Sequence, residues 1–283
     1  MTRKSGKAKN EITMKNNKAI FIIILGLYAC LAGAQNRGDF TIPFSDPTKP
    51  GMVVVDIKTG SITIKGTARK DVSISYARQG NDKDEDNGRY SKEGLRRIGG
   101  GAQDIDGSEY QNTIQIKSDN WNGELDLIVE VPSNVNIKAK AYNNGDIEIS
   151  NITGDLELTN YNGSISARSI SGSVVAQTYN GDIKIVFDKL KSDTPMSYAN
   201  YNGDIDLTFP ASLQATLKMK TNQGEIYTGF DAAVQKSNPV QKSDSKSGAY
   251  KVVIDDWVKL DINGGGPEVM LKSYNGDIFV RKK

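Results

Sequence analysis

Short segments in which apolar and polar residues alternate repeat along the middle of the chain, and each segment follows a glycine. Glycines stand nine residues apart at positions 145, 154, 163, 172 and 181, and apolar residues follow two and four places after each of them. This period-two alternation is typical of a short β-strand with one buried face. A further large residue follows seven places after most of these glycines. The pattern predicts an inward-facing set made of Ile147, Ile149, Ile152, Leu156, Leu158, Tyr161, Ile165, Ala167, Ile170, Val174, Ala176, Tyr179, Ile183 and Ile185.

The full repeat consists of two nonapeptides, because two kinds of glycine corner alternate. Tyr-Asn-Gly stands at 161–163 and 179–181, and Ser/Thr-Gly corners lie between. The later corner glycines, at positions 203 and 224, are spaced slightly more widely. We therefore predict an all-β fold, a single-domain parallel β-solenoid of the β-helix or β-roll kind, with about 18–22 residues per coil. Two-residue Asn-Gly loops also suit β-hairpins, so an antiparallel meander or β-sandwich is the competing fold.

The Asn-Gly corners are predicted structural sites. A chain that turns sharply between strands needs positive φ, which glycine and asparagine adopt at the least cost. If equivalent corners stack, the asparagines can form a ladder of side-chain amides. The predicted corner residues are Asn144, Gly145, Asn162, Gly163, Asn180, Gly181, Asn202, Gly203, Asn275 and Gly276.

The N-terminal segment is predicted to direct export. Two lysines precede an apolar run over 19–29, and the small residues at 32–34 suit cleavage by a signal peptidase. We therefore assign residues 1–34 to a secretory signal peptide. In the alternative, residues 27–30 form a lipoprotein signal and Cys30 carries a lipid anchor. Neither form leaves a transmembrane span in the mature chain, because the apolar run is shorter than about 20 residues.

The rest of the chain divides into a lead-in and one repeat domain. Residues 35–50, with three prolines, are expected to be extended, and residues 51–283 to form the solenoid domain. Two polar, glycine-containing stretches near 80–110 and 231–248 interrupt the repeat. We expect both to be surface loops, since they offer little apolar surface for a core.

The amino-acid composition argues against several classes of function for this chain. The 283 residues include no histidine and one cysteine, so the commonest general base is missing and a Cys-based zinc site cannot form. Without residues 1–34, the chain has 30 basic and 33 acidic residues and a net charge of −3, which disfavours a nucleic-acid partner. We predict no catalytic, cofactor-binding or metal-binding residue.

Corner carboxylates and tyrosines are the main candidates for chemistry. Carboxylates stacked in neighbouring coils could bind Ca²⁺, although solvated corners are the simpler interpretation; they are Asp146, Asp155, Asp182, Asp204, Asp277, Glu124 and Glu225. The tyrosines are expected to fill the core beside the corners, with a carbohydrate-stacking stripe as the alternative. They are Tyr142, Tyr161, Tyr179, Tyr201 and Tyr274.

Acids near the two tryptophans offer an enzyme alternative. Asp255 and Asp256 precede Trp257, while Asp119 and Glu124 flank Trp121. A glycosidase needs two carboxyl groups facing across a cleft, and nothing in the sequence brings these acids together. The basic C-terminus, residues 281–283, is expected to discourage end-to-end stacking at an open solenoid end.

The repeat and the export signal together resemble the adhesin-like β-repeat family of bacterial cell-envelope proteins. The resemblance rests on Val131-Pro132, on the repeated Asn-Gly-Asp-Ile, and on the glycine run at 264–266 before the closing corner at 275–278. It covers roughly residues 50–283. It implies an adhesin-like β-solenoid domain of unknown function, with no catalytic residues to carry over.

The expected function is non-enzymatic. We expect an exported β-solenoid that acts as an adhesin-like or structural interaction scaffold in the periplasm, on the outer-membrane surface or outside the cell. Its partner would be an envelope or surface protein or glycan, contacted through the loops near 80–110 and 231–248. The alternatives are a carbohydrate-active β-helix enzyme, such as a polysaccharide lyase or hydrolase, and a Ca²⁺-stabilised repeat protein.

Overall fold

The alternating segments form β-strands throughout the described part of the chain. The computed structural model describes residues 36–79, 105–190, 194–232, 234–236, 240–244, 249–253 and 257–283, and none of these lies in a helix. The strands are β1 (Asn36–Pro43), β2 (Met52–Thr59), β3 (Ile62–Thr67), β4 (Asp71–Gln79), β5 (Asp106–Tyr110), β6 (Thr113–Ser118), β7 (Glu124–Pro132), β8 (Asn136–Asn143), β9 (Ile147–Ile152), β10 (Leu156–Asn162), β11 (Ile165–Ile170), β12 (Val174–Asn180), β13 (Ile183–Phe187), β14 (Met196–Asn202), β15 (Ile205–Phe209), β16 (Ala215–Gln223), β17 (Ile226–Thr228), β18 (Val234–Lys236), β19 (Val240–Asp244), β20 (Ala249–Val253), β21 (Val258–Ile262), β22 (Glu268–Asn275) and β23 (Ile278–Lys282).

These strands form two large sheets and one hairpin. Sheet A has ten strands in the order β1-β4-β7-β3-β9-β11-β13-β15-β23-β17. Sheet B has eleven, in the order β18-β21-β16-β22-β14-β12-β10-β8-β2-β6-β5, and β19 pairs with β20. Neighbours in the central part of both sheets are parallel, which confirms the predicted all-β class and its predominantly parallel pairing.

Equivalent residues of successive repeats lie side by side. In sheet A, Ile165 pairs with Ile147 on one side and with Ile183 on the other. In sheet B, Leu156 pairs with Val174. A hairpin would pair consecutive strands antiparallel, so the competing meander interpretation is wrong for these repeats.

The core lies between the two sheets and is mainly aliphatic. All aliphatic members of the predicted inward set are buried. Larger side chains fill the core in later repeats, where Phe187 and Phe209 stack with centroids 5.0 Å apart and Tyr198 is fully buried. Burial raises the pKa of the Tyr198 phenol well above its ordinary value. This continuous apolar interior supplies the main driving force for folding.

The first and last laps lie inside the stack, where a lap means one strand of sheet B followed by one of sheet A. The lap β2–β3 lies between β6–β7 and β8–β9, and the lap β22–β23 lies between β14–β15 and β16–β17. The prediction that residues 281–283 mark an open end is therefore wrong. Arg281 pairs with Asp206 at 2.7 Å, and Lys283 pairs with Asp188 at 2.6 Å.

Antiparallel strands extend both ends of the stack. At one end β4 joins β7, β1 joins β4 and β5 joins β6; at the other, β21 joins β16 and β18 joins β21. The predicted lead-in therefore includes β1, and the two predicted loop stretches contribute β5, β18 and β19. The export segment and Cys30 lie outside the described residues. Within the described residues, no helix is long and apolar enough to cross a membrane.

Two columns of glycines allow neighbouring corners to approach closely. A Cβ atom on Gly181 would lie 2.3 Å from the carbonyl oxygen of Gly163, and one on Gly172 would lie 2.0 Å from that of Gly154. Any other residue would therefore displace backbone atoms of the adjacent lap. Positive φ is a second requirement at Gly181 (φ 148°), and close approach is the requirement that both columns share.

Candidate binding surface

Four tyrosines form a stacked column on the outer face of sheet B. One tyrosine ring comes from each of β10, β12, β14 and β22, and the residues are Tyr161, Tyr179, Tyr201 and Tyr274. Successive ring centroids are 5.1, 4.8 and 4.7 Å apart, with interplanar angles of 5°, 3° and 3°. Between 38% and 51% of each residue is exposed. We call this column the tyrosine ladder.

The tyrosines point outward because polar residues take the neighbouring inward positions. These buried residues are Asn160, Thr178, Asn200 and Ser273. The Asn160 amide donates to the Gly145 carbonyl at 2.9 Å, and the Thr178 hydroxyl makes the equivalent bond to the next corner, also at 2.9 Å. Such bonds satisfy corner carbonyls that would otherwise be buried without a partner. The prediction that these tyrosines fill the core is therefore wrong.

A column of asparagine amides runs beside the tyrosine ladder. Each Nδ2 donates to the Oδ1 of the adjacent lap, at 2.8, 2.7, 2.7 and 2.8 Å along the series Asn143, Asn162, Asn180, Asn202 and Asn275. We call it the asparagine ladder. The lap β8–β9 contributes Asn143, whereas the sequence predicted Asn144, which adopts a φ of 56° in the turn. These amide bonds fix the register of the laps and thereby position the tyrosines one residue away.

Corner carboxylates bond to the backbone of the next lap. Asp182 accepts from the Asp204 N–H, and Asp204 from the Asp277 N–H, both at 2.8 Å. At the opposite corner, Asp155 accepts from the backbone and hydroxyl of Ser173 at 3.0 and 2.9 Å. These contacts give the acids a structural role. The described residues contain no group of three side chains that could hold a metal ion.

Charged residues replace the tyrosines where the column reaches β2 and β6. The Lys58 ammonium lies 4.5 Å from the centroid of the Tyr142 ring, 3.0 Å from Asp56 and 3.4 Å from Asp119. Burial disfavours its charge, yet the neighbouring carboxylates raise the pKa of Lys58 above its ordinary value. The 57% exposed Trp121 ring lies 6.0 Å from that of Tyr142. Asp119, a candidate glycosidase acid, is thus held in an ion pair.

The rest of this outer face has lysines on two sides, and the strands β12 and β14 between them carry uncharged residues. We call a line of paired positions across the strands a register row. The register row next to the ladder contains, from β8 to β16, Lys140, Thr159, Gln177, Ala199, Lys272 and Lys220. The following row contains Lys138, Glu157, Val175, Ser197, Met270 and Lys218. The strands β12 and β14 thus separate two lysine groups.

The sequence-predicted enzyme residues are not brought together in a described cavity. A cavity with a volume of about 320 Å³ lies beside the turn at 210–214. Among the described residues that line it, Asp188 is the one carboxylate. Asp188 accepts a hydrogen bond from Lys283, which lowers the pKa of that carboxyl. Asp255 and Asp256 lie outside the described residues.

Comparison with known proteins gives one family and two structures. The sequence matches the Toastrack DUF4097 family over residues 104–256, which is more than half of the chain. A "putative cell adhesion protein" from Clostridium sporogenes has 10% identity and a TM-score of 0.44, covering 87% of this chain and 100% of that one. A "putative adhesin" from Bacteroides fragilis has 11% identity and a TM-score of 0.39, covering 89% and 98%. The sequence matches no curated protein.

Proposed function

We propose that this chain, which belongs to the Toastrack DUF4097 family, is an exported, non-enzymatic, adhesin-like interaction scaffold of the bacterial cell envelope. The observation that carries this proposal is the exposed tyrosine ladder, held in register by the asparagine ladder. Tyrosines offer large contact areas and lose little rotamer entropy on binding. A fixed row of them is therefore suited to holding a partner.

The proposed scaffold is a parallel β-solenoid with about 18–22 residues per coil and with Asn-Gly and Ser/Thr-Gly corners. Its support is the register of sheet A, in which Ile183 pairs with the equivalent isoleucines of the two adjacent coils, Ile165 and Ile205. Each lap of such a stack contacts its neighbours, which gives an extended and stiff surface.

The proposed partner is a surface protein or glycan of the envelope. A second contact region comprises the stretches near 80–110 and 231–248, most of which lies outside the described residues. Export is part of the same proposal, through cleavage after Ala34 or through lipidation of Cys30. Mass spectrometry of the protein recovered from its host distinguishes these two forms, since the mature chain begins at Gln35 in the first and at a lipid-modified Cys30 in the second.

Saturable binding to arrays of envelope glycans and envelope proteins tests the scaffold function. We expect Tyr179→Ser combined with Tyr201→Ser to weaken binding. The matched control is Tyr227→Ser combined with Phe279→Ser, a stacked aromatic pair on sheet A with centroids 5.1 Å apart. Two further variants delete 81–100 and 237–248. If the ladder variant and both loop deletions bind as tightly as the wild type, the proposal is contradicted.

A further inference from the structure

The outer face of sheet B is basic, although the chain without its export segment has a net charge of −3. The parallel strands of this sheet carry seven lysines and three acids, namely Lys58, Lys117, Lys138, Lys140, Lys218, Lys220, Lys272, Asp56, Glu157 and Glu268. The parallel strands of sheet A carry five basic and five acidic residues, namely Lys65, Arg168, Lys184, Arg281, Lys282, Glu124, Asp126, Glu130, Glu148 and Asp206. Positive charge is thus concentrated on the face that carries the tyrosine ladder.

Two of the three acids within the parallel strands of sheet B are engaged by neighbouring lysines. Glu157 pairs with Lys138 at 2.6 Å, and Asp56 with Lys58 at 3.0 Å. Lys140 and Lys272 have no acidic partner within ion-pair distance among the residues that the structure describes. Lys272 is exposed and Lys140 is half-buried. These two ammonium groups therefore remain available to an anion from outside the protein.

The two lysine groups are too far apart to share one small anion. Lys140 on β8 and Lys272 on β22 occupy one register row, with Thr159, Gln177 and Ala199 between them. Four strand spacings of about 4.8 Å separate them by about 19 Å. A ligand that reaches both lysines must be extended and must carry several negative charges.

The tyrosine ladder selects among extended polyanions. Nucleic-acid bases bind by stacking on free aromatic faces. Within the ladder, each ring already stacks on its neighbour at 4.7–5.1 Å, so ring edges and phenol hydroxyls face outward. A phenol both donates and accepts hydrogen bonds, as do the nearby Gln177 and Thr159 side chains. A flat row of such groups suits a hydroxyl-rich chain.

We propose that the outer face of sheet B binds a linear acidic polysaccharide that runs across the strands, along the tyrosine ladder. Its carboxylates contact Lys140 at one side and Lys272 at the other, and its hydroxyls bond to the phenols between them. This inference rests on the proposed scaffold function and adds the class of ligand to it.

Affinity electrophoresis of the purified protein with polygalacturonate tests the ligand class. The matched polymer is fully methyl-esterified polygalacturonate, which has the same backbone without the charge. We expect binding to the acidic polymer, progressive loss as ionic strength rises, and much weaker binding to the ester. Lys140→Ser with Lys272→Ser should weaken binding about tenfold. Lys65→Ser with Lys184→Ser, which removes the same charge from sheet A, should leave it unchanged.

Each remaining outcome has a defined meaning. Equal binding of the acidic polymer and its ester overturns the inference, as does equal loss in the two lysine variants. Binding to vesicles that contain anionic phospholipid, in preference to the polymer, also overturns it and identifies a membrane surface instead. If the polymer does not bind while the ladder variant loses binding to the envelope arrays, the ligand class is wrong and the scaffold function stands.

Discussion

Consecutive residues of one repeat serve opposite purposes at the corner and on the neighbouring face. Gly181 and Asn180 belong to the corner, where a glycine column and an amide ladder direct their contacts to adjacent laps. Tyr179, one residue earlier, belongs to the outer face and is 42% exposed. Both columns repeat once per lap. At the corner, the repeated residues bond to one another and fix the register of the laps. On the outer face, the repeated tyrosines are exposed to solvent.

The difference predicts that substitutions at the corner reduce stability, and that substitutions on the face reduce binding with a much smaller change in stability. A corner glycine lies against the backbone of another lap, which cannot move without disturbing the whole stack. A corner asparagine bonds to the side chains of the two adjacent laps. A residue on the outer face contacts side chains that can adjust toward solvent.

The largest expected effect comes from adding one carbon at the corner. Gly181→Ala places a Cβ atom 2.3 Å from the Gly163 carbonyl oxygen, in a backbone with a φ of 148°. We expect the free energy of unfolding to fall by about 4 kcal/mol in urea denaturation. Gly264→Ala is the control, because it has positive φ but no atom within 4 Å of the added carbon. A loss of about 1 kcal/mol is expected there, from backbone strain alone. Equal losses would show that close approach does not matter.

Breaking the asparagine ladder should have an intermediate effect. Asn202→Ala removes the donor to Asn180 and the acceptor for Asn275, which bond at 2.7 and 2.8 Å. Two amide groups lose their partners, so we expect a loss of about 2 kcal/mol in the same assay. Gln177→Ala, on the open face, should change stability by less than about 0.5 kcal/mol. A neutral Asn202→Ala would mean that water replaces the ladder without cost.

Removing one tyrosine should cost less stability than removing one asparagine of the ladder. Tyr201→Ala eliminates two stacked contacts, at 4.8 and 4.7 Å, from a residue that is 38% exposed. We expect a loss of about 1 kcal/mol, measured by thermal unfolding. Tyr227→Ala removes one stacked contact on sheet A and should cost about half as much. If Tyr201→Ala lost more stability than Asn202→Ala, the tyrosine ladder would have to be regarded as part of the core.

The ion pair of the last lap gives the smallest effect and a defined pH dependence. The Lys283 hydrogen bond lowers the pKa of Asp188 in the folded protein. Its stabilisation is therefore complete above the unfolded value near 4 and is lost as the pH falls through the lowered folded value. Both side chains are more than a third exposed, so Lys283→Met should cost about 0.5 kcal/mol at pH 7. In urea denaturation the difference should shrink as the pH falls below the unfolded value, and a difference that stays constant would assign the loss to packing.

Local features of the fold could be predicted from the sequence, but the order of the laps could not. Period-two alternation and the nine-residue glycine spacing act within one lap, so they identified the aliphatic inward residues and the parallel stacking. Every lap, however, carries nearly the same pattern. Nothing in residues 268–282 indicates that this lap lies between β14–β15 and β16–β17, because that choice depends on long-range pairing.

The outward orientation of the tyrosines is contained in the strand alternation, and the seven-residue offset from the glycine does not indicate it. Seven places after a Ser/Thr-Gly or Asn-Gly glycine stand Ile152, Tyr161 and Ile170, and the two isoleucines are indeed buried. Alternation from Leu156 and Leu158, however, makes Asn160 the next inward position and Tyr161 an outward one. The large side chain of Tyr161 suggested a core residue, whereas the period-two alternation of the strand correctly predicts that it lies on the outer face. The lysine groups were missed because they combine residues of laps far apart in sequence.

One distance tests the stacked order of the laps and the spacing of the two lysine groups together. Spin labels are attached through Lys140→Cys and Lys272→Cys in a chain that also carries Cys30→Ser, and the separation is measured by double electron–electron resonance. The stack described here predicts about 19 Å, from four strand spacings. Laps that followed sequence order would add a fifth spacing, so a distance of about 24 Å or more would contradict it.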